Sequence, residues 1–287
     1  MKIYIIIPAY NEAGFIGETL QSLIDQTSKA NRIVVVDDGS TDNTPNIVAE
    51  FASKYPEISL IKNPSDREKI HLPGSKVINA FNKGLESLDE DYELICKFDA
   101  DLIFPKNYLE VITKHFQEDP KIGMVGGFCV IEKHGEWILE NLTGKDHIRG
   151  ALKTYRKACF KDLDGLKPAM GWDTLDELLA QYYGWKIKTD DSLLVKHLKP
   201  TGKNYNKSSK YKQGEAFYRL RYGFIISVIA SAKLALKKGE LSFFSDYMQG
   251  FFKAKKEKRP FLVNEEEGSF IRKLRWEKMR SKLFSIL

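Results

Sequence analysis

Three pairs of the form Asp-Xaa-Asp stand in the chain: Asp89-Glu90-Asp91, Asp99-Ala100-Asp101 and Asp162-Leu163-Asp164. Only the middle pair closes an apolar run, Leu94-Ile95-Cys96-Lys97-Phe98, which has the length and composition of a buried strand entering a loop before Pro105. Carboxylates at i and i+2 in extended backbone point to one side. They can share one hard divalent cation, with water or a ligand's phosphate oxygens filling its other positions. In α/β sheets the ligand crevice lies beyond the carboxyl ends of the strands, which is where Asp99 and Asp101 fall. The first pair precedes the same strand, at its other end, and the third sits in the polar turn Lys161-Asp162-Leu163-Asp164-Gly165. From these two residues alone, a solvated turn explains the pair as well as a cation does.

Other side chains carry chemistry of their own. His197 ends a short strand over residues 194–197, just before Pro200 and Gly202. A lone histidine is usually structural, yet on the same sheet edge as Asp101 it suits a further metal ligand. Lys76 stands one turn into a helix behind Pro73-Gly74, where the helix N-terminus also draws anions, so it fits a phosphate. A solvated surface lysine is the plainer account. Asp173, in Gly171-Trp172-Asp173-Thr174-Leu175-Asp176-Glu177, occupies a helix N-cap position, where aspartate is favoured simply because it accepts backbone N–H bonds.

The elements that must position these residues alternate regularly. Residues 2–7 read as a strand closed by Pro8-Ala9-Tyr10-Asn11-Glu12, and residues 12–26 show Phe15, Ile16, Leu20, Leu23 and Ile24 at helical spacing. Residues 32–36 are β-branched almost throughout and end in Asp37-Asp38-Gly39-Ser40-Thr41-Asp42, a turn into a helix over 43–54. A third strand follows at 58–62, then a loop and helix over 71–88 that Gly84 interrupts. The strand of Asp99 comes next, with a helix at 106–118 and a buried strand at 122–131. Strand, helix, strand, helix, strand predicts a right-handed parallel α/β sheet. At 287 residues, 43% hydrophobic and 29% charged, the chain can bury a full core. Residues 3–7 stop at Pro8, too short for a secretory apolar region. Cys96, Cys129 and Cys159 are odd in number and set in apolar surroundings, the pattern of reduced cysteines in a cytoplasmic protein.

Taken together, these residues resemble the inverting nucleotide-sugar glycosyltransferases of family 2, over residues 2 to about 202. Pro8-Ala9-Tyr10-Asn11-Glu12 looks like the family's first nucleoside-binding loop, and Val36-Asp37-Asp38-Gly39-Ser40-Thr41-Asp42 is similar to its second, where an aspartate meets the base. Gly74, Lys76, Asn79 and Gly84 fit the helix beside the diphosphate, and Asp99-Ala100-Asp101 fits the metal motif. The resemblance implies a GT-A fold, a Rossmann-like and mostly parallel sheet flanked by helices. It implies a nucleoside-diphosphate sugar donor met by Pro8, Tyr10, Glu12, Asp38, Lys76 and Asp99, and a divalent metal, Mn²⁺ or Mg²⁺, on Asp101 and His197. The acceptor is implied to be the hydroxyl of a saccharide or lipid-linked saccharide in cell-surface polysaccharide synthesis. The family usually places Glu-Asp at the start of the acceptor-side helix, with the aspartate as base. Here the pair is Trp172-Asp173, which leaves Asp173 as base and Asp176, one turn on, as its rival. Trp172 either offers a flat face to a sugar ring or packs in the core; it and Asp176 are the acceptor-side candidates. Two alternatives stay open. A nucleotidyltransferase shares the layout but normally carries a Gly-rich basic loop after the first strand, and a catalytically silent sugar- or membrane-binding module would have no need of the carboxylates.

The catalytic domain is expected to span residues 1–202, and 203–287 to form a basic helical extension. Residues 203–287 hold 20 Lys/Arg against 8 Asp/Glu, while 1–202 hold 25 against 31. Residues 224–236 are apolar but shorter than the roughly 20 that cross a bilayer. Phe243, Phe244, Tyr247, Met248, Phe251 and Phe252 fall on one helix face, followed by Lys253, Lys255, Lys256, Lys258 and Arg259. That pattern predicts either a helix lying on an anionic membrane surface, which would make the protein peripheral at the inner face of the membrane, or a packed helical hairpin. No recognised nucleic-acid-reading motif accompanies the charge, so nucleic acid is not an expected partner.

Overall fold

The computed structural model describes residues 1–63, 75–140, 144–199 and 207–284, with 207–210 and 282–284 described by their backbone. Pro73, Gly74, Pro200 and Gly202 lie outside the described residues, as do residues 64–72. The described chain divides into two compact units, residues 1–168 with 172–199, and residues 207–284 with 169–171.

The first unit begins with β1 (Ile3–Ala9), α1 (Ile16–Ile24), β2 (Arg32–Asp37), α2 (Thr44–Lys54), β3 (Ile58–Lys62), α3 (Ser75–Glu86) and β4 (Leu94–Phe98). β5 (Leu102–Ile103), α4 (Tyr108–Glu118), β6 (Ile122–Lys133), β7 (Glu136–Leu139), β8 (Leu152–Arg156), α5 (Lys157–Asp162), α6 (Trp172–Tyr182) and β9 (Lys186–His197) follow. The sheet runs β3-β2-β1-β4-β8-β6-β9-β5, with β7 paired to β6. β3, β2, β1 and β4 are mutually parallel. The interiors of β1 and β2 are apolar on both faces, as a strand covered by helices on both sides requires, whereas β3 at the sheet edge is partly exposed and β4 buries Lys97. β8 and β5 run antiparallel to their neighbours, so the sheet is mixed and mostly parallel.

Register decides where the chemistry falls. Ala9 lies beside Asp37, and Ile6 beside Lys97, so β1, β2 and β4 end at one edge. At the far side β9 ends with His197 opposite Leu102 of β5, and the Leu198 N–H donates to the Asp101 carbonyl at 2.9 Å. These backbone bonds, and no property of the histidine itself, bring His197 to Asp101.

Three expectations change. Gly84 does not interrupt α3; a Cβ there would stand 2.7 Å from Ile6 Cγ2 and 2.9 Å from Val36 Cγ2, so its bare backbone lets the helix lie close on β1 and β2. The strand expected at 122–131 runs on to Lys133 and returns through the β6–β7 hairpin, turned by His134 (φ 53°) and Gly135 (φ 83°), the two positive angles a type I′ turn needs. The strand expected over 194–197 is the end of the twelve-residue β9, whose first half is partly exposed and so lacks an apolar signature.

The second unit comprises α7 (Lys207–Arg219), α8 (Gly223–Lys238), α9 (Ser242–Lys256) and α10 (Glu265–Phe284). α7 and α9 cross in backbone contact at two glycines: a side chain on Gly214 would strike the Tyr247 carbonyl, and one on Gly250 the Tyr211 carbonyl. This packing takes up part of the aromatic stripe. Tyr247, Met248 and Phe251 are buried within the unit, and of the six stripe residues Phe252 is the one left largely exposed. No helix among the described residues is long and apolar enough to cross a membrane.

Candidate active site

At the edge where β1, β2 and β4 end, two loops are stitched together. Asn11 adopts φ 54°, in the left-handed region that asparagine tolerates better than most residues. Its backbone N–H donates to Ser40 Oγ (2.9 Å), and its side-chain oxygen accepts the Thr41 N–H (2.8 Å). The Glu12 N–H donates to Thr44 Oγ1 (2.8 Å), and Asn63 holds Asp38 through its amide (2.8 Å). The result is a cleft of roughly 380 Å³ lined by Pro8, Ala9, Tyr10, Glu12, Asp38, Lys76, Val77, Ala80, Asp99, Ala100, Asp101 and Lys199. All six residues expected to meet the nucleotide face it, together with Asp101.

The cleft is short of positive charge. Four carboxylates (Glu12, Asp38, Asp99, Asp101) line it against two lysines (Lys76, Lys199). Lys199 Nζ already pairs with Glu12 Oε1 at 2.9 Å. Burial raises the Glu12 pKa above its ordinary value despite that lysine, with Asp101 and Asp99 adding to the rise. Its other oxygen, Oε2, is buried without a hydrogen-bond partner among the described residues. Asp99 is held from below by Lys97, whose ammonium is buried in β4.

Asp101 and His197 fit a divalent cation. His197 Nε2 lies 3.5 Å from Asp101 Oδ2, too long for a good hydrogen bond and close enough for both to reach one ion at about 2.1 Å. The opposite ring nitrogen, Nδ1, is 2.9 Å from Glu140 Oε2. Cys129, Glu140 and His197 also form a buried cluster of metal-ligand types. Its chemistry suits a cation poorly: the Arg149 guanidinium already sits on Glu140, and burial pushes the Cys129 thiol up to about 11, so it stays protonated.

Across β4 and β8, Lys97 stands opposite Lys153, and both ammonium groups lie over the Trp172 indole, at 5.4 and 5.7 Å. Trp172 is 8% exposed, closed in by Gly150, where a Cβ would come within 2.7 Å of the indole. The two aspartates of α6 have opposite surroundings. Asp176 is 3% exposed and engaged by Lys153 Nζ (2.7 and 2.9 Å) and by the Tyr155 hydroxyl. Asp173 keeps 35% of its side chain exposed, 3.8 Å from His147 Nε2. Burial opposes a charge on His147, but Asp173 and Glu177 outweigh it and push its pKa up to about 9. Burial likewise works against the Asp173 anion, and His147 and Lys153 more than offset it, so its pKa is lowered. Asp173 is therefore an ionised, reachable carboxylate, whereas burial pushes Asp176 up to about 7.

Sequence reasoning missed Lys199, Lys97, Lys153, His147, Glu140 and Arg149. Lys97 and Lys153 left a signal in charged residues within strand-like runs. His147, Glu140 and Arg149 sit in connections with no periodicity, and nothing in one sequence marks them.

Residues 4–163 match the family described as Glycosyl transferase family 2. Among curated relatives, an uncharacterised glycosyltransferase YibD of Escherichia coli is 28% identical over 165 residues, 54% of this chain and 45% of the relative. A poly-β-1,6-N-acetyl-D-glucosamine synthase of Staphylococcus epidermidis is 27% identical over 44% of this chain and 28% of its own length. The chain thus spans about half or less of the curated relatives it matches. Among solved structures, the mannosyltransferase PcManGT of Pyrobaculum calidifontis, in complex with GDP-Man and Mn²⁺, superposes with a TM-score of 0.59 at 17% identity, covering 94% of this chain and 78% of that one. TarS residues 1–349 of S. aureus, in complex with UDP-GlcNAc, gives 0.57 at 19% identity, covering 88% and 72%.

Proposed function

We propose, from the premise that this chain belongs to glycosyl transferase family 2, that it transfers a sugar, with inversion, from a nucleoside-diphosphate sugar to a hydroxyl of a saccharide or lipid-linked saccharide. The observation that carries this reading is the cleft at the ends of β1, β2 and β4, with two lysines among four carboxylates and with buried His197 3.5 Å from one of them, Asp101. A diphosphate brings negative charge of its own, so it needs a cation to enter such a cleft. Asp101 and His197 would hold that cation, Mn²⁺ or Mg²⁺. When bound, it supplies Lewis-acid stabilisation of the leaving diphosphate, worth several kcal/mol. The complexes of PcManGT with GDP-Man and Mn²⁺ and of TarS with UDP-GlcNAc lend the same donor chemistry to this fold.

The chain's own residues do the rest. Pro8, Tyr10, Glu12 and Asp38 bound the nucleoside end, and Lys76 and Lys199 neutralise phosphate oxygens. Asp173 is the base. As the acceptor oxygen bonds to the anomeric carbon and the bond to the diphosphate oxygen breaks, the hydroxyl proton passes to Asp173. One displacement without a protein nucleophile inverts the centre. Trp172 borders this side as a packed indole that fixes the start of α6.

The test is calorimetry with the common nucleoside diphosphates, with and without Mn²⁺ or Mg²⁺, followed by a panel of nucleotide sugars assayed for turnover. Metal-dependent binding of at least one diphosphate, and turnover of its sugar, are expected. Absence of metal-dependent binding across the set removes the reading.

A further inference from the structure

Behind the cation end lies a buried ion pair that the reaction above does not use. β7 is an exposed hairpin arm, yet the next residue, Glu140, turns inward: its N–H donates to the Cys129 carbonyl (2.9 Å) and its side chain is 4% exposed. A carboxylate in that position is costly unless well paired. Its Oε2 accepts from Arg149 and lies 2.9 Å from His197 Nδ1. An Arg–Glu pair alone would not need a histidine on the same oxygen. A carboxylate bearing a guanidinium is ionised and only accepts, so the Nδ1 position must carry the proton of the contact. In the neutral ring that leaves the Nε2 lone pair facing Asp101 Oδ2, 3.5 Å away.

We propose that Glu140, fixed by Arg149, is a positioning residue that sets the tautomer and angle of His197 for cation binding. The proposal rests on the reading that Asp101 and His197 hold the cation. Carboxylates behind ligating histidines act this way in metal sites, where their loss typically weakens metal binding about 10–100-fold.

The experiment measures Mn²⁺ affinity by electron paramagnetic resonance, in the presence of the diphosphate that the wild-type protein binds, for Glu140→Gln, Arg149→Lys, His197→Ala and Cys129→Ala. ¹⁵N imidazole shifts of the metal-free wild-type protein report the His197 tautomer independently of any variant. The expected results are an Nδ1–H tautomer in the wild type, a Mn²⁺ dissociation constant raised about 10–100-fold in Glu140→Gln, a rise in the same direction in Arg149→Lys, and little change in Cys129→Ala. Unchanged melting temperature separates this from general damage. If Glu140→Gln does not fold, Arg149→Lys and the wild-type tautomer decide. An Nε2–H tautomer in the wild type overturns the proposal. Wild-type Mn²⁺ affinity in Glu140→Gln, with His197→Ala impaired, overturns it while sparing the cation site. A loss in Cys129→Ala equal to that in Glu140→Gln overturns it in favour of a Cys129–Glu140–His197 site. No effect of His197→Ala, or no Mn²⁺ binding by the wild type, removes both the site and the proposal.

Discussion

Asp173 and Asp176 stand one turn apart on α6, and their surroundings give them different chemistry. Asp176 is locked to Lys153 and Tyr155, while Asp173 keeps an exposed edge and a cationic neighbour, His147. Asp173→Asn is therefore expected to lower turnover by about 10²–10⁴-fold, the range of a lost general base, with nucleotide affinity nearly unchanged. Asp176→Asn is expected to lower the melting temperature instead, because it strands a buried lysine. An active Asp173→Asn beside a stably folded, inactive Asp176→Asn would move the base one turn along the helix. His147 adds a pH dependence of stability. Its folded pKa, about 9 against an ordinary 6.5, is raised, so the pairing with Glu177 and Asp173 stabilises fully below pH 6.5 and is lost as pH rises through 9. Integrated over that interval the loss is on the order of 3 kcal/mol. Urea titrations from pH 6 to 10 should show the decline in the wild type and a flatter profile in His147→Gln. Parallel profiles would mean that the ring is not charged in the fold.

At the scale of elements, what sequence made legible was what depends on local pattern. The strands β1, β2 and β4 are apparent as mainly apolar runs, with Lys97 as the exception in β4, and the residues just after each are the site candidates. Parallel pairing alone puts those three loops at one edge, and so Pro8, Tyr10, Glu12, Asp38, Asp99 and Asp101 gather in one cleft. Helical spacing from residue 12 places the start of α1 four residues before Ile16; in the fold, Glu12 accepts the Phe15 and Ile16 N–H groups in a turn that precedes the helix. Gly84 looked like a helix break because propensity is local, whereas its cause, the approach of α3 to Ile6 and Val36, is tertiary. The same limit hid Glu140, Arg149 and His147. A charged residue in an irregular connection looks solvated until the strands it folds against are known, and burial of Glu140 beside His197 depends on β6, β7 and β9 together. His197 was readable only as a strand end; its neighbour Asp101 comes from the antiparallel β5–β9 pair, which two residues of β5 could not advertise.

At the scale of the whole molecule, charge and exposed apolar surface coincide in the second unit. Residues 203–287 carry 20 Lys/Arg against 8 Asp/Glu. The apolar side chains left outside differ from the stripe first expected: Phe224, Ile225 and Leu236 of α8, Leu241, and Phe252 of α9 are all half exposed or more, and Phe224 and Phe252 have ring centroids 6.0 Å apart. Exposed Lys233, Lys253, Lys255 and Lys256 lie on the same two helices. Apolar side chains with neighbouring cations suit an anionic lipid surface, where each Lys or Arg contributes about 1 kcal/mol and salt screens the attraction. The full chain is expected to co-sediment with anionic vesicles at low salt, to release at high salt, and to ignore neutral vesicles. Phe224→Ser with Ile225→Ser should weaken binding without a fall in melting temperature, since both side chains project into solvent. Phe251→Ser, at a position 5% exposed, should instead destabilise the unit by opening a cavity between α7 and α9. Equal indifference to anionic and neutral vesicles would remove the membrane from the list of partners and leave the basic face to solvent, with α7–α10 serving as a packed helical unit alone.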